Sequence, residues 1–312
     1  MVLFQQMLVF FIVMFTGTFA SRHHYLDGNA SDVLSRLVVD FANPTLLLAC
    51  GFEAEQVKNV PEYFTCFGAA TAVYIGLFLV GFGTVAVIRR LPDGSTSAAR
   101  LKWRAPIFHA MFLFSNIGFM ALPLVRVLYG PAGVVYVNMY SILWDIFYYA
   151  VGNRIVGANA HLTARDVLNP GFICSIVCVP LFIFAPKVPA VVTSVLDMIG
   201  NLATPLSLMV IGASLARIPV RGLRVHAESL LFMAIKLLVI PLVFVSLLRL
   251  IVTNTMFLQV TVVVLATPVG SMAAMLAAKK SEEAARYASL CVAVTTVAAV
   301  ITMPLIAAVL DI

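Results

Sequence analysis

Ser115-Asn116-Ile117-Gly118-Phe119-Met120-Ala121-Leu122-Pro123 sits inside an apolar run from Ala105 to Leu128. A run of that length can cross a bilayer as a helix, which takes roughly 20 residues. Its middle carries an amide, a glycine and a proline. Pro123 lacks a backbone donor and clashes with the preceding turn, and Gly118 weakens the helix further. In hydrocarbon, backbone groups freed this way must find partners in protein or in a wet cavity. Such a helix is either kinked by packing or opened to bind something. A second run, Met256–Ala278, has the same character at Thr267-Pro268-Val269-Gly270-Ser271-Met272. Setting Gly118 on Gly270 places Met120 on Met272 and Asn116 on Pro268. Interrupted helices in corresponding positions of two halves point to a transporter binding site.

The rest of the composition agrees with a membrane setting. Apolar residues make up 62% of the 312 and charged residues 11%, against about 25% charge in soluble proteins. The chain reads as an all-α polytopic membrane protein whose apolar surface faces the lipid bilayer. The net charge of +6 comes from basic loops and does not imply nucleic acid. Cys50, Cys66, Cys174, Cys178 and Cys291 show neither a disulfide framework nor metal-ligand spacing. No metal and no cofactor is expected. No nucleotide-binding loop of the GxxxxGK[ST] type is present, so any movement of solute must draw on a gradient or on the membrane potential.

Ten spans are expected: Met1–Ala20, Leu37–Phe52, Tyr63–Ile88, the interrupted fourth, Ala132–Val156, Pro170–Ala185, Val191–Ile218, Val225–Val252, Met256–Ala278 and Ala284–Leu310. Arg22–Ser35 reads as a polar link and Arg89–Arg104 as a basic loop. Asp40-Phe41-Ala42-Asn43-Pro44 aligns with Asn201-Leu202-Ala203-Thr204-Pro205, which pairs the second span with the seventh. The glycine–methionine match pairs the fourth with the ninth. Both pairings need a five-span unit, and five is odd, so the two copies run in opposite orientations. The units are 1–156 and 170–312, joined by a link over 157–169.

Fifteen of the 20 Lys and Arg residues fall in loops or span ends on one side if the N-terminus is outside. Lys58, Arg126, Lys187 and Arg249 fall on the other, and Lys236 lies within a span. The side rich in Lys and Arg is the cytoplasmic one. Both termini are therefore expected outside and the 157–169 link inside, in a multi-pass protein of the plasma (inner) membrane.

Three stretches carry a resemblance: Arg36–Pro44, Ser115–Pro123 and Ile199-Gly200-Asn201-Leu202-Ala203-Thr204-Pro205-Leu206-Ser207-Leu208-Met209-Val210-Ile211-Gly212-Ala213-Ser214-Leu215-Ala216. They resemble the auxin efflux carrier family, which includes plant exporters and bacterial permeases, over essentially the whole chain. The long central loop of the plant exporters is absent, so the chain looks like a bacterial permease. The resemblance implies a five-plus-five inverted repeat, similar to bile-acid-symporter folds. Helices four and nine would cross at their breaks. Spans 1, 2, 6 and 7 would form a scaffold, and spans 3–5 and 8–10 the mobile transport part. It also implies carriage of small organic anions and a homodimer through the scaffold, where Gly200, Ala203, Gly212, Ala213 and Ser214 would permit close helix approach. Asn116 falls on the family's asparagine before the fourth-helix proline, Pro123 on that proline, and Pro268 near the ninth-helix break. Asp145 stands where many members carry an amide.

The expected substrate contacts are Asn116, Gly118, Pro123, Thr267, Pro268, Gly270 and Ser271. Asn116 has a rival reading as a hydrogen bond between packed helices, and the prolines as ordinary kinks. Asn43, Pro44, Thr204 and Pro205 either line the substrate path or close local kinks. Asp145 is a carboxylate within a span, where such groups are expensive and usually functional. Its readings are proton uptake, pairing with Lys236 or Arg126, or exposure to a wet cavity. Lys236 either snorkels to the inner face or neutralises Asp145 or an anion. His109 reads as a packing residue.

The expected function is secondary transport of a small organic anion, such as a carboxylate, bound at mid-membrane. Half-helix ends present free N–H groups and a positive dipole end that suit a carboxylate without Lys or Arg. A sodium- or proton-coupled symporter of a larger, sterol-like substrate is the nearest alternative. An enzyme would need clustered acids or histidines, and a receptor an output module. Neither is visible in the sequence. The topology is open to test by cysteine labelling in a cysteine-free background. Position 93 is expected to react only from the inside and position 59 only from the outside, and the reverse pattern would overturn the orientation.

Overall fold

The computed structural model describes residues 2–53, 59–92, 95–157, 167–184, 186–217 and 226–310. Lys58, Asp93, His161, Arg165, Arg221, Arg224 and most of the 157–169 link lie outside the described residues. The described chain is helical, with α1 Val2–Arg22, α2 Gly28–Leu37, α3 Asn43–Glu53, α4 Val60–Arg89, α5 Thr96–Leu113, α6 Leu122–Phe147 and α7 Asn153–Val156. The second half holds α8 Pro170–Phe184, α9 Ala190–Gly200, α10 Ala203–Ala216, α11 Ala227–Ala234, α12 Ile240–Leu248, α13 Thr255–Ala266, α14 Ser271–Ala278 and α15 Glu282–Val309. Seven helical stretches are long and apolar enough to cross a membrane: Phe4–Arg22, Gly28–Glu53, Val60–Arg89, Ile117–Val156, Ala190–Ala216, Ala227–Leu248 and Glu282–Val309. Pro170–Phe184 and Thr255–Ala266 are shorter apolar helices.

Several boundaries differ from the sequence reading, each for a local reason. The polar link before the second span is largely helical. Asp27 caps α2 by accepting the Ala30 N–H at 2.7 Å, so the helix starts at Gly28, nine residues before Leu37. The basic loop likewise ends early. Ser95 accepts the Ala98 N–H at 3.0 Å, and Arg100, Lys102 and Arg104 are helical. The seventh span bends at Asn201-Leu202, and Pro205 sits in the first turn of α10, where a missing N–H costs nothing. Between α6's two arms, Gly130 has φ +62° and ψ −159°. That backbone region suits only glycine, and the bend lets Pro131 open the second arm.

Pro106, Pro180 and Pro304 lie inside regular helices, while three other prolines follow widened turns. π-helical turns occupy Val38–Ala42, Ile117–Ala121 and Ile235–Val239. Each ends two residues before a proline: Pro44, Pro123 and Pro241. The N–H groups of Asn43, Leu122 and Ile240 reach back five residues, to Val38, Ile117 and Ile235. A proline ring clashes with the carbonyl four residues before it, and a five-residue reach opens the ladder at that point. The break in the fourth span is therefore not at Pro123. It lies at Phe114–Asn116, where the chain leaves the helix entirely.

Helix α1 runs along α10, and α8 and α9 pack on α3. Helix α5 packs on α4, α14 on α15 and α12 on α13, while α6 lies against α4, α13, α3 and α8. A Cβ on Gly17 would collide with the Met209 backbone, and one on Gly212 with the Met14 carbonyl. A Cβ on Gly200 would lie 2.9 Å from Leu46 Cα. Gly200, Ala203, Gly212 and Ala213 are all buried within the single chain. The small residues read as a dimer seam are instead used inside the protomer. Gly212→Ala is expected to force α1 and α10 apart and to destabilise the protein by about 3 kcal/mol. Gly68→Ala, where a Cβ meets nothing within 4 Å, is expected to leave the melting temperature unchanged or raised. Thermal unfolding in detergent compares the two.

Candidate functional site at the two helix breaks

Where α5 and α13 end, their chains meet. Phe114 caps the end of α5 and Thr267 that of α13. Ser115 and Val269 pair as an isolated antiparallel bridge. The Asn116 N–H donates to the Pro268 carbonyl at 2.9 Å, and the Gly270 N–H to the Phe114 carbonyl at 2.8 Å. Each break thus satisfies the other's backbone, as a hydrocarbon setting requires. After the bridge the helices resume, with Asn116 at the N-cap of the Ile117–Ala121 turn and Gly270 at that of α14. The structure therefore sets Asn116 opposite Gly270 in role. This corrects by two residues the register that set Gly118 on Gly270.

Four side chains brace the crossing. Lys236 is fully buried; its Nζ donates to Ser115 Oγ at 2.7 Å and to the Leu265 carbonyl at 3.2 Å. Trp144 Nε1 donates to the Ser115 carbonyl at 3.2 Å. The Val269 N–H donates to Thr295 Oγ1 at 3.3 Å. Ser115 is thus held from both ends, a role the sequence reading did not assign to it, to Trp144 or to Thr295. The adjacent Thr295-Thr296 in an apolar span was the available signal. Lys236 does not snorkel and does not pair with Asp145. Arg126, the other cation considered for Asp145, pairs with Glu53 at 2.9 Å. Asp145 is half-buried and has no ion-pair partner among the described residues.

The remaining expected contacts divide. The Asn116 side chain, 4% exposed, makes no hydrogen bond among the described residues, which does not fit the packing-glue reading. Gly118 is half-buried, and a Cβ there would meet only Asn43 Nδ2, at 3.3 Å, within a 4 Å reach. One side of this turn is therefore open. Ser271, at the start of α14, is exposed. Thr267 is fully buried and donates its hydroxyl to the Val264 carbonyl at 2.6 Å, so it caps its own helix and has no proton to give a ligand. Pro123 is buried and begins α6. Pro123 has no N–H for the Gly118 carbonyl five residues back, and Asn43 Nδ2 supplies that bond at 3.0 Å. Thr204 is half-buried and Pro205 exposed on α10, and Pro44 is buried in α3. His109 is buried against the Phe78 ring at 5.0 Å, a packing role as expected.

Polar pairs away from the break sort the helix ends. Arg100 and Arg104 both reach Glu228 at 2.8 Å, and Lys279 reaches Asn153 at 3.0 Å. Arg126 meets Glu53, and Asn254 meets Glu62 at 2.8 Å. Each pair joins residues that the charge pattern placed on one side. A groove of about 380 Å³ is lined by Asn59, Glu62, Thr65, Cys66 and Asn254. Asn254 caps the far end of α13, about 18 Å of helix rise from the break, so this groove is not the site.

Residues 2–161 and 154–307 match the family of membrane transport proteins. The chain belongs to that family. No curated protein matches it. The family takes in proteins like the auxin efflux carriers, so the resemblance read from the three motifs holds at this level. The chain is a multi-pass membrane transporter.

Ser115→Ala tests the bracing. It removes the nearer acceptor of a buried cation, and a hydrogen bond to a charged group is worth about 1.5–3 kcal/mol. The melting temperature is expected to fall by that equivalent. Ser115→Ala with Lys236→Met is expected to recover part of the loss, because the unpaired buried charge goes with it. A double variant no more stable than the single one would show that the lysine is not what Ser115 holds.

Proposed function

We propose that this protein is a ten-span permease carrying a small organic anion, bound where the fourth and ninth spans break. The observation that carries this is the unclaimed Asn116 amide. It sits at an N-cap beside the partly open Gly118, next to first-turn N–H groups that have no acceptor inside the helix. A carboxylate matches this set of donors, and the positive end of the helix favours its charge. Ser271 offers a hydroxyl at the start of the second half-helix. Lys236 adds a positive charge behind the bridge.

The ten-span count is supported by the bend at Gly130, which lets the 40 residues of Ile117–Val156 complete the fourth span and make the fifth. A scaffold of spans 1, 2, 6 and 7 and a moving part made of the rest are taken from the family resemblance, and the packing of α8 and α9 on α3 is compatible with it. We place both termini outside and the protein in the plasma membrane on the distribution of Lys and Arg. A homodimer through the scaffold, and membership among the bacterial permeases, rest on the family resemblance alone.

A sodium-coupled symporter is the second reading. In broken-helix transporters, carbonyls at half-helix C-terminal ends coordinate the coupling ion. Here Lys236 Nζ already donates to such a carbonyl, that of Leu265 at 3.2 Å. A tethered cation in that place favours transport without sodium.

The test is affinity and melting temperature on the same purified variants, with a panel of small carboxylates as probes. Asn116→Ala removes a donor to a charged group, worth about 1.5–3 kcal/mol. Binding of the carboxylate that stabilises the wild type is expected to weaken roughly tenfold to a hundredfold, with little change in stability. Asn116→Asp is expected to abolish it. Normal affinity in both variants would remove the proposed site, and solute flux in proteoliposomes then decides whether any organic acid is carried.

A further inference from the structure

Two asparagines carry bonds between the helices read above as the scaffold, α1–α3 and α8–α10, and those read as the moving part, α4–α7 and α11–α15, and each is only half satisfied. Asn43 on α3 donates Nδ2 to the Gly118 carbonyl at 3.0 Å. Asn138 on α6 donates Nδ2 to the Ser175 carbonyl on α8 at 2.9 Å. In both, Oδ1 is buried and has no hydrogen-bond partner. Both receiving carbonyls lie five residues before a proline, Pro123 and Pro180. Among the described residues only two other polar links join the groups. These are Arg126–Glu53 at helix ends and Asn169–Tyr149 beside the link. All four engage α6, its flanking turns or both, and none engages α11–α15.

We propose that Asn43 and Asn138 are latches, positioning residues that hold the moving group in the place seen here and set how readily it leaves. The inference rests on the reading that the two groups slide past each other during transport. Its chemistry is in the half-satisfied amides. The Nδ2 bonds favour this arrangement, because breaking them would leave the buried amide donors, and at Gly118 the carbonyl as well, without partners in an apolar boundary. The orphaned Oδ1 atoms disfavour it, because a buried acceptor without a donor is costly. The two effects oppose each other, so the grip is firm but releasable. The second half of the chain fits the same idea. Thr204, aligned with Asn43, makes no side-chain hydrogen bond among the described residues. One half is latched while its counterpart is open, as expected of a protein that alternates between two arrangements.

The experiment uses the full chain, cysteine-free in lipid nanodiscs, with spin labels at Met198 and Val87, which are 77% and 65% exposed on α9 and α4. Pulsed electron-spin distances read the arrangement of the groups. Wild type is expected to show two distances. Asn43→Ala and Asn138→Ala each remove the orphaned acceptor along with the bond. With the bond the stronger of the two, each is expected to lower the share of the arrangement seen here, by at most about 10-fold, the worth of one neutral hydrogen bond. In a Pro123→Ala background the helix regains an N–H for the Gly118 carbonyl, so Asn43→Ala is expected to have no further effect. Pro123→Ala also tests the bond from its other side if Asn43→Ala does not fold. A single distance, unmoved by saturating carboxylate, would overturn the sliding reading and the latch with it. Two distances with unchanged ratios in both asparagine variants would overturn the latch alone and leave transport by sliding intact.

Discussion

The two hydrogen bonds between the interrupted strands, Asn116 to Pro268 and Gly270 to Phe114, are what the rest of this structure depends on. A helix that stops in hydrocarbon leaves backbone groups with nothing to bond, at several kcal/mol each. Two helices that stop at the same place can answer one another, and these do so with a single residue pair. Once the pairing exists, everything near it must hold it square. Lys236 and Trp144 fasten Ser115, and Thr295 receives the Val269 N–H. The second consequence is chemical. The chain restarts as helix immediately after the bridge, on both sides. The first N–H groups of a helix have no acceptor four residues back, and here Ile117 and Ala273 give theirs to the Ser115 and Gly270 carbonyls.

At Pro44, Pro123 and Pro241 the helix widens rather than breaks. Three π-helical turns each end two residues before a proline. Membrane helices tolerate proline because neighbours can re-satisfy the freed carbonyls. At Gly118 the neighbour is identifiable as Asn43, on a helix 75 positions away in sequence. A defect in one helix thus becomes a tie to another. This explains why the Asn43-Pro44 stretch and the Asn116–Pro123 stretch belong to one argument although they lie in different spans.

Charge placement follows a similar economy. Arg100 and Arg104 share Glu228, with Arg104 also 4.1 Å above the Tyr287 ring. Lys280 binds the Trp103 carbonyl and Lys279 the Asn153 side chain. These contacts tie α5, α7, α11, α14 and α15 together at one set of ends. Lys236 is the exception, fully buried with two oxygen acceptors and no carboxylate among them. Its bonds go to the crossing itself, through Ser115 Oγ and the Leu265 carbonyl, and not to another side chain's charge.

Much of this was legible in the chain itself. Apolar runs of bilayer length set the membrane class, and the Lys and Arg asymmetry grouped the helix ends correctly, because both are sums over many residues. The breaks in the fourth and ninth spans were visible as glycine and proline inside such runs. The position of each break was not. Pro123 marks a widened turn, while the chain leaves the helix at Phe114, an apolar residue with no breaking signal of its own. That choice is made by the partner strand, which offers the Pro268 carbonyl and the Gly270 N–H only once α13 is in place. The small residues Gly200 and Gly212 announced close helix approach, but a close approach has no address in a sequence. They meet Leu46 and Met14 of the same chain. Lys236 could snorkel or be buried on length alone, and it is buried because Ser115 and Leu265 present oxygens at its tip. The sequence by itself determined which segments are apolar, which are interrupted and where charge is concentrated, since these are properties of neighbours along the chain. Only the tertiary structure decided which freed backbone group meets which donor, because hydrogen bonds between helices depend on side chains and carbonyls that become neighbours only after the helices pack.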